Sequence, residues 1–287
     1  MLYRDYIRWW LRPAFLKPRG IKSDTLFAGP WVGEFGWELM HWQGFVRKLS
    51  RDYKKTVVSC RPGNEALYAD FCSDFILHTI RGIAECNQAH AMENPEELQR
   101  VLALVPDGAD VLKPLGFQPL SRQEFIRYGN PKNEAAFDIV IHPRGRSFGG
   151  DRNWSAENWE QLISELQKSG LTFVCVGLKS ATLDLKSNLV DFRDQPLSRT
   201  LDLMSAAKLV IGPSSGPMHL ASLCGTPHLV WTDTKTYAHG QKNRYKFEVA
   251  WNPFKTQAIV IDEFGFQPSV KTVLEATHRF FAEKGNC

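Results

Sequence analysis

Apolar residues along this chain come in short runs separated by stretches of helical spacing, which predicts strands and helices in alternation. "TLFAG" (25–29) reads as a strand, and "GWELMHWQGFVRKLS" (36–50) as a helix with Leu39, Trp42, Phe45, Val46 and Leu49 on one face. "KTVVSC" predicts a second strand, "GNEALYADFC" a second helix and "DFILHTI" a third strand. This half is βαβ-like and blurs from Arg81 onward. Residues 106–136 are rich in Pro, Gly and charge, which predicts a linker there, and Pro114 and Pro119 exclude one continuous helix.

The second half is clearer. "FDIVIHP" is an apolar strand of the parallel-sheet kind, followed by the polar loop "RGRSFGGDRN" and a helix capped by Ser155, with Trp159, Leu162, Ile163 and Leu166 as its buried stripe. Strand "LTFVCVG", "LVDFR", helix "LSRTLDLMSAA", strand "KLVIGP", helix "GPMHLASLCG" and strand "HLVWTD" follow. Strands and helices alternating at this spacing predict doubly wound parallel sheets, with ligands at the carboxyl ends of the strands.

Length fits two domains, placed at residues 1–130 and 131–287. The hydrophobic share of 43% and charged share of 23% belong to a globular protein, and no run of apolar residues is long enough to span a bilayer. A net charge of +4 is too small to indicate nucleic acid by itself. Six cysteines form no CxxC pair and no cluster of zinc spacing, so no metal is expected, and a reducing cytoplasm follows from their use in apolar runs. Residues 1–20 mix Arg4, Arg8, Arg12, Lys17 and Arg19 with Trp9, Trp10, Leu11 and Phe15. That mixture suits either contact with a membrane surface or an arm packed on the domain.

Chemistry concentrates in two places. In "KLVIGPSSGPMHLASLCGTPHLVWTD" a buried strand runs into Gly212, Ser214, Ser215 and Gly216, and a helix starts near Pro217. Bare N–H groups, the positive end of the helix dipole and the serine hydroxyls suit a phosphate; a plain capped crossover helix fits the same spacing.

The sequence resembles the ADP-heptose:lipopolysaccharide heptosyltransferase family. "LVIGPSSGPMHLASLCGTPHLVWTD" is similar to that family's strand, DTGxMHLAxxxGxP turn and strand; "IHPRGRSFGGDRNWSAENWEQLISEL" and "LSRTLDLMSAAKLVIG" are similar to its preceding loop and helices. The resemblance implies a GT-B fold of α/β class, two Rossmann-like doubly wound domains facing across a cleft, and an inverting, metal-independent transfer from a nucleotide-diphosphate sugar without any cofactor. It implies that Ser214, Ser215, Gly216, Pro217, Met218 and His219 hold the pyrophosphate, with Arg144, Arg146 and Arg152 neutralising its charge. The family's aspartate in this motif is Ser214 here, which leaves the donor sugar unnamed.

The second place is "GEFGWEL". Gly33-Glu34 stands where the resemblance implies a Gly-Asp pair whose acid is the catalytic base, and Glu38 lies one helical turn on. An inverting transfer needs one carboxylate to take the proton of the acceptor hydroxyl. Glu34 is expected to be that base and Glu38 its helper or a helix-start charge, with Gly33, Trp37 and His41 contacting acceptor or sugar. Trp42 is expected in the core, and "DTKTYAHGQKNRYKFEV", with Lys235, Tyr237 and His239, near the nucleotide or on a plain surface loop. The expected acceptor is a glycan or glycolipid of surface polysaccharide or lipopolysaccharide, met in the cytoplasm or at the inner face of the membrane. A DNA-base glycosyltransferase, a non-catalytic nucleotide-sugar binder and a nucleotide-sugar epimerase are the competing readings.

Overall fold

The computed structural model describes residues 23–285, except 73, 81, 86, 87, 93, 115, 116 and 238–240. The basic aromatic stretch 1–20 and His239 lie outside the described residues. The chain divides into two units, Met1–Phe125 and Ile126–Cys287.

In the first unit β1 (Thr25–Ala28) leads to helix α1, made of Phe35–Trp37, a π-helical turn Glu38–Trp42 and Gln43–Ser50. Next come β2 (Lys55–Cys60), β3 (Asp74–Leu77), the antiparallel hairpin β4 (Gly82–Glu85) and β5 (Gln88–Met92), helix α2 (Pro95–Ala103) and β6 (Asp110–Leu112). The sheet is parallel, in the order β3-β2-β1-β6. Phe27 and Val57 pack against Leu98 and Val101 of the amphipathic α2.

The π turn reshapes α1. The Gln43 N–H bonds the Glu38 carbonyl five residues back, and Glu38 to Trp42 are all buried in succession. Consequently Leu39, Trp42 and Val46 are in the core as the helical spacing predicts, while Phe45 and Leu49 stay half-exposed. Arg47 is buried instead, bonded to Asp70 at 2.7 Å and to the carbonyls of Leu67 and Glu124 at 3.0 Å.

Two expectations are corrected here. The helix expected over 63–72 is only a 3-10 turn, Asn64–Leu67, because Arg47 takes the Leu67 carbonyl and the Cys72 thiol is drawn to the Thr56 and Asp74 carbonyls. The stretch expected as linker contains β6, and its end is bound to α1: Gln123 donates to the Met40 carbonyl at 2.8 Å and the Glu124 N–H to the Gly44 carbonyl at 2.9 Å. Pro and Gly content signalled irregular backbone and could not reveal these polar anchors.

The second unit runs β7 (Ile139–Ile141), α3 (Ala156–Gln167), β8 (Phe173–Cys175), β9 (Val190–Asp191), α4 (Leu197–Ala206), β10 (Leu209–Pro213), α5 (Gly216–Cys224) and β11 (His228–Trp231). A small hairpin, β12 (Thr236–Tyr237) and β13 (Gln241–Lys242), precedes α6 (Asn243–Tyr245, continued by a π turn Lys246–Ala250), β14 (Ala258–Ile261) and α7 (Val270–Gly285). The parallel sheet has the order β14-β11-β10-β7-β8-β9. Ile139, Ile141, Leu209, Ile211 and Leu229 pack under α3 and α7, with Trp154, Trp159 and Trp231 within 5.0–5.4 Å of one another. Alternate residues Val140, Val174, Val210 and Val230 are equally buried on the opposite face. The Ser155 hydroxyl accepts from the Asn158 N–H, and Trp159, Leu162, Ile163 and Leu166 are all buried, as the sequence predicts. Among the described residues no helix is long and apolar enough to cross a membrane.

Candidate functional site

Strand order singles out one edge of each sheet. In the second unit the order runs from β7 out through β8 to β9, then restarts with β10 on the other side of β7. Such a reversal opens a crevice at the carboxyl ends of the two strands, here β7 and β10. The loop after β7 carries Arg144, Arg146 and Arg152, and the turn after β10 carries Ser214 to Met218. The register Ile141↔Ile211 makes the two loops leave from adjacent strand ends, and Arg144 and Gly145 run on beside Ala181 and Thr182 beyond β8.

Ser215 is the N-cap of α5, yet its side chain does not cap the helix. Its hydroxyl is buried and has no hydrogen-bond partner among the described residues. The first turn of a helix leaves its N–H groups without intrahelical acceptors, so a bare hydroxyl and bare amides share the positive end of the dipole. Ser214 donates its N–H to the Trp231 carbonyl at 2.9 Å and is tied to the neighbouring strand. Met218 is fully buried, and His219 stacks on Phe247 at 4.5 Å and against Trp251 at 4.5 Å. Those two side chains serve packing, so in this turn the backbone and Ser215 are what is left for a ligand.

The three arginines have different duties. Arg144 is 2% exposed and holds its own loop, donating to the Gly149 carbonyl at 2.8 Å and also to Asn153 and the Phe148 carbonyl. Arg152 is half-buried, and its guanidinium donates to no protein acceptor among the described residues. Gly149, at φ +61°, sits where a Cβ would come within 2.9 Å of Arg152 Nη2 and 3.3 Å of Arg144 Nη2. A glycine here lets two guanidinium groups approach each other, an arrangement that an anion would complete. Arg146 is exposed. Below the loop, burial pushes His142 down to about 4, so its imidazole is neutral at pH 7.

Beyond β11, Asp233 accepts from Asn243 and lies 3.7 Å from Lys235. Lys242, Arg244, Tyr245 and Glu248 line a shallow pocket of about 310 Å³.

In the first unit the reversal falls between β1 and β6. After β1 the chain passes Gly29, at φ +123°, where a Cβ would be 2.5 Å from the Ser59 carbonyl oxygen. It then forms the turn that carries Gly33 and Glu34. Arg61, at the end of β2, donates to the Gly33 carbonyl at 2.8 Å and the Val32 carbonyl at 2.5 Å. Trp31 is buried and stacks on Trp42 at 5.7 Å, so both indoles are core.

The two glutamates differ sharply. Glu34 is half-buried at the start of α1, and its carbonyl accepts the Trp37 and Glu38 N–H groups. Glu38 is fully buried: the Tyr68 hydroxyl donates to Oε1 at 2.7 Å and the Asn64 amide to Oε2 at 2.8 Å. Burial pushes its carboxyl up to about 7, against the lowering effect of Tyr68, Arg61 and Asn64. A carboxyl that titrates near neutrality exchanges a proton at working pH. Sequence reasoning missed Tyr68 and Asn64, which it had placed on an ordinary helix, and no periodicity signals their role. It also missed Phe117, whose ring lies 4.9 Å from His41, itself 4.6 Å from Trp37. His41 is fixed through Nδ1, 3.1 Å from the Gln118 carbonyl.

Among the described residues no group of three His, Cys, Asp or Glu is placed to hold a metal ion. Cys60, Cys72, Cys175 and Cys224 are buried free thiols, all pushed upward by burial and so poor nucleophiles.

A family model described as glycosyltransferase family 9 (heptosyltransferase) matches residues 82–236, more than half of the chain. No curated protein matches the sequence. Among solved structures it is similar to a family 9 glycosyl transferase from Veillonella parvula DSM 2008, at 12% identity and TM-score 0.59, covering 90% of this chain and 97% of that one. It is also similar to the E. coli ADP-heptose lps heptosyltransferase II, at 14% identity and TM-score 0.52, covering 92% of this chain and 100% of that one. The expected GT-B class, built from two α/β units with parallel sheets, is the fold observed.

Proposed function

This chain belongs to glycosyltransferase family 9 and is a glycosyltransferase with a nucleotide-sugar donor, and from that premise we propose an inverting, metal-independent transfer to a hydroxyl of a surface glycan or glycolipid, in lipopolysaccharide or polysaccharide synthesis. The observation that carries the reading is that the loops after two adjacent strands carry a Ser215 hydroxyl at a helix N-terminus and an Arg152 guanidinium, neither with a protein partner among the described residues. Together they suit the diphosphate of the donor, whose charge grows as it leaves. Arg144 shapes the loop, Arg146 adds an exposed charge, and the backbone from Ser214 through Gly216 and Pro217 to Met218 and His219 lines the phosphates.

In the reaction the acceptor oxygen bonds to the anomeric carbon, the carbon–oxygen bond to the diphosphate breaks on the opposite face, and the hydroxyl proton passes to a carboxylate. We assign that carboxylate to Glu38 in preference to Glu34. Glu38 is held by two donors, and burial draws its carboxyl up toward neutral pH. It is closed off from solvent in the free protein, so acceptor binding has to open a path to it. The half-exposed Trp37 and the exposed Phe117 offer ring faces to a sugar, with the buried His41 packed against both, and the sequence of residues 1–20 suits contact with the inner face of the membrane.

Release of nucleoside diphosphate from a panel of nucleotide sugars tests the assignment. Glu38→Gln is expected to cut turnover by about 10²-fold or more while Glu34→Gln keeps it. The opposite result moves the base to Glu34, and no release from any sugar nucleotide removes the enzyme reading of the site.

A further inference from the structure

Both oxygens of the Glu38 carboxyl are engaged by side chains from one short turn. Tyr68 follows the 3-10 turn Asn64–Leu67, is buried, and donates its hydroxyl to Oε1; Asn64 opens the turn, is half-buried, and donates its amide to Oε2. The turn is itself pinned. Arg47, on the same helix as Glu38, binds the Leu67 carbonyl and Asp70 and so ties the turn to the helix. Tyr68 is braced further by Phe71, whose ring lies edge-on at 6.1 Å.

We propose that Tyr68 and Asn64 are positioning residues for Glu38, fixing its carboxylate in one orientation and leaving each oxygen a lone pair to receive the proton of the acceptor hydroxyl. The proposal rests on Glu38 being the base. An ionised carboxylate has about four acceptor sites, and two donors occupy only half of them. A reactive group supported on both sides is preorganised, whereas a free glutamate has three side-chain torsions to arrange at every turnover.

The clamp also acts on the charge. Hydrogen bonds to the ionised form favour that form, so Tyr68 and Asn64 oppose the desolvation that drives Glu38 toward the neutral acid. The other ionisable neighbours are known. Arg61 at the end of β2 lowers the carboxyl's affinity for a proton; Cys60 on β2 feels the Glu38 charge but is itself pushed up by burial and stays neutral; Glu65 shares the turn, and His41 shares the helix. Loss of either clamping donor leaves burial less opposed, and Glu38 then holds its proton to higher pH.

Two measurements on the full chain test this. In protein labelled with ¹³C at the glutamate carboxyl carbons, and assigned with Glu38→Gln, the Glu38 signal is expected to titrate about one pH unit higher in Tyr68→Phe and in Asn64→Ala than in the wild type. In nucleoside diphosphate release, the acidic limb of the kcat/KM profile is expected to move up by the same amount. Activity then falls about tenfold at pH 6 and recovers at pH 9, a recovery that damage to the fold would not allow. An unmoved Glu38 titration in both variants overturns the clamp, as does a loss of activity equal at every pH. If Tyr68→Phe does not fold, Asn64→Ala decides the matter. Full turnover in Glu38→Gln is a separate failure, that of the base assignment, and leaves the titration result to stand or fall by itself.

Discussion

Replacing Glu38 by Gln should make the protein more stable at alkaline pH, and the size of the gain follows from the burial of one carboxyl. The group moves from 4.5 to about 7 on folding. Because the folded value is the higher one, the unfolded chain gives up its proton first as pH rises. No cost exists below pH 4.5; stability is lost as pH climbs from 4.5 to 7, and above 7 the loss is constant. A difference of about 2.5 units corresponds to about 3 kcal/mol at the alkaline limit. Urea unfolding at pH 5 and pH 8 should show wild type losing roughly 2 to 3 kcal/mol more than Glu38→Gln between the two. Gln keeps an acceptor for the Tyr68 hydroxyl, and the Asn64 amide can turn over to offer its oxygen, so the variant should still fold. Parallel pH dependence of the two proteins would refute the claim that Glu38 is a carboxyl forced into a dry site.

Further outcomes concern the rest of the molecule. Arg152→Ala should raise the Kd for a nucleoside diphosphate by about 10- to 100-fold and leave the unfolding midpoint unchanged, since that guanidinium serves no protein acceptor among the described residues. Arg144→Ala should lower both binding and stability, because three acceptors of the loop lose their donor; calorimetric titration beside urea melts separates the two arginines. Trp159→Ala should cost about 3 to 5 kcal/mol in urea unfolding, as its ring is fully buried between Trp154 and Trp231. Deleting residues 1–20 should reduce co-sedimentation with anionic liposomes, and unchanged binding would remove that segment from the account.

Much of the second unit was legible because its strands are continuous apolar runs and its helices have a clean stripe. Ser155 and the Trp159, Leu162, Ile163, Leu166 face could be read directly. The first unit was harder. Its helix α1 contains a π turn, which breaks the period that sequence reading relies on and buries Glu38 and His41 where a solvent-facing acid and a sugar contact were expected. The terminal strand β14 and helix α7, which close the second sheet, were not anticipated, nor was α2. At the site, the turn after β10 was visible in its Ser, Gly and Pro residues. The division of labour among Arg144, Arg146 and Arg152 was not, since three arginines in one loop look alike until their acceptors are known. Likewise the resemblance favoured Glu34 over Glu38, and nothing in the local sequence marked Glu38 as the buried one. What separates them is Tyr68 and Asn64, about thirty residues away in the chain and brought in by a turn that Arg47 holds.

The central claim is that the second unit binds the diphosphate of a nucleotide sugar at the ends of β7 and β10. Thermal unfolding in the presence of a panel of nucleoside diphosphates and their sugar conjugates tests it most directly. A ligand at about 100 times its Kd adds about 2.7 kcal/mol to stability, enough to raise the Tm by several degrees. The account predicts that at least one nucleoside diphosphate raises the Tm of the wild type at a concentration where Arg152→Ala is unaffected. No rise with any member of the panel, or an equal rise in Arg152→Ala, would contradict it.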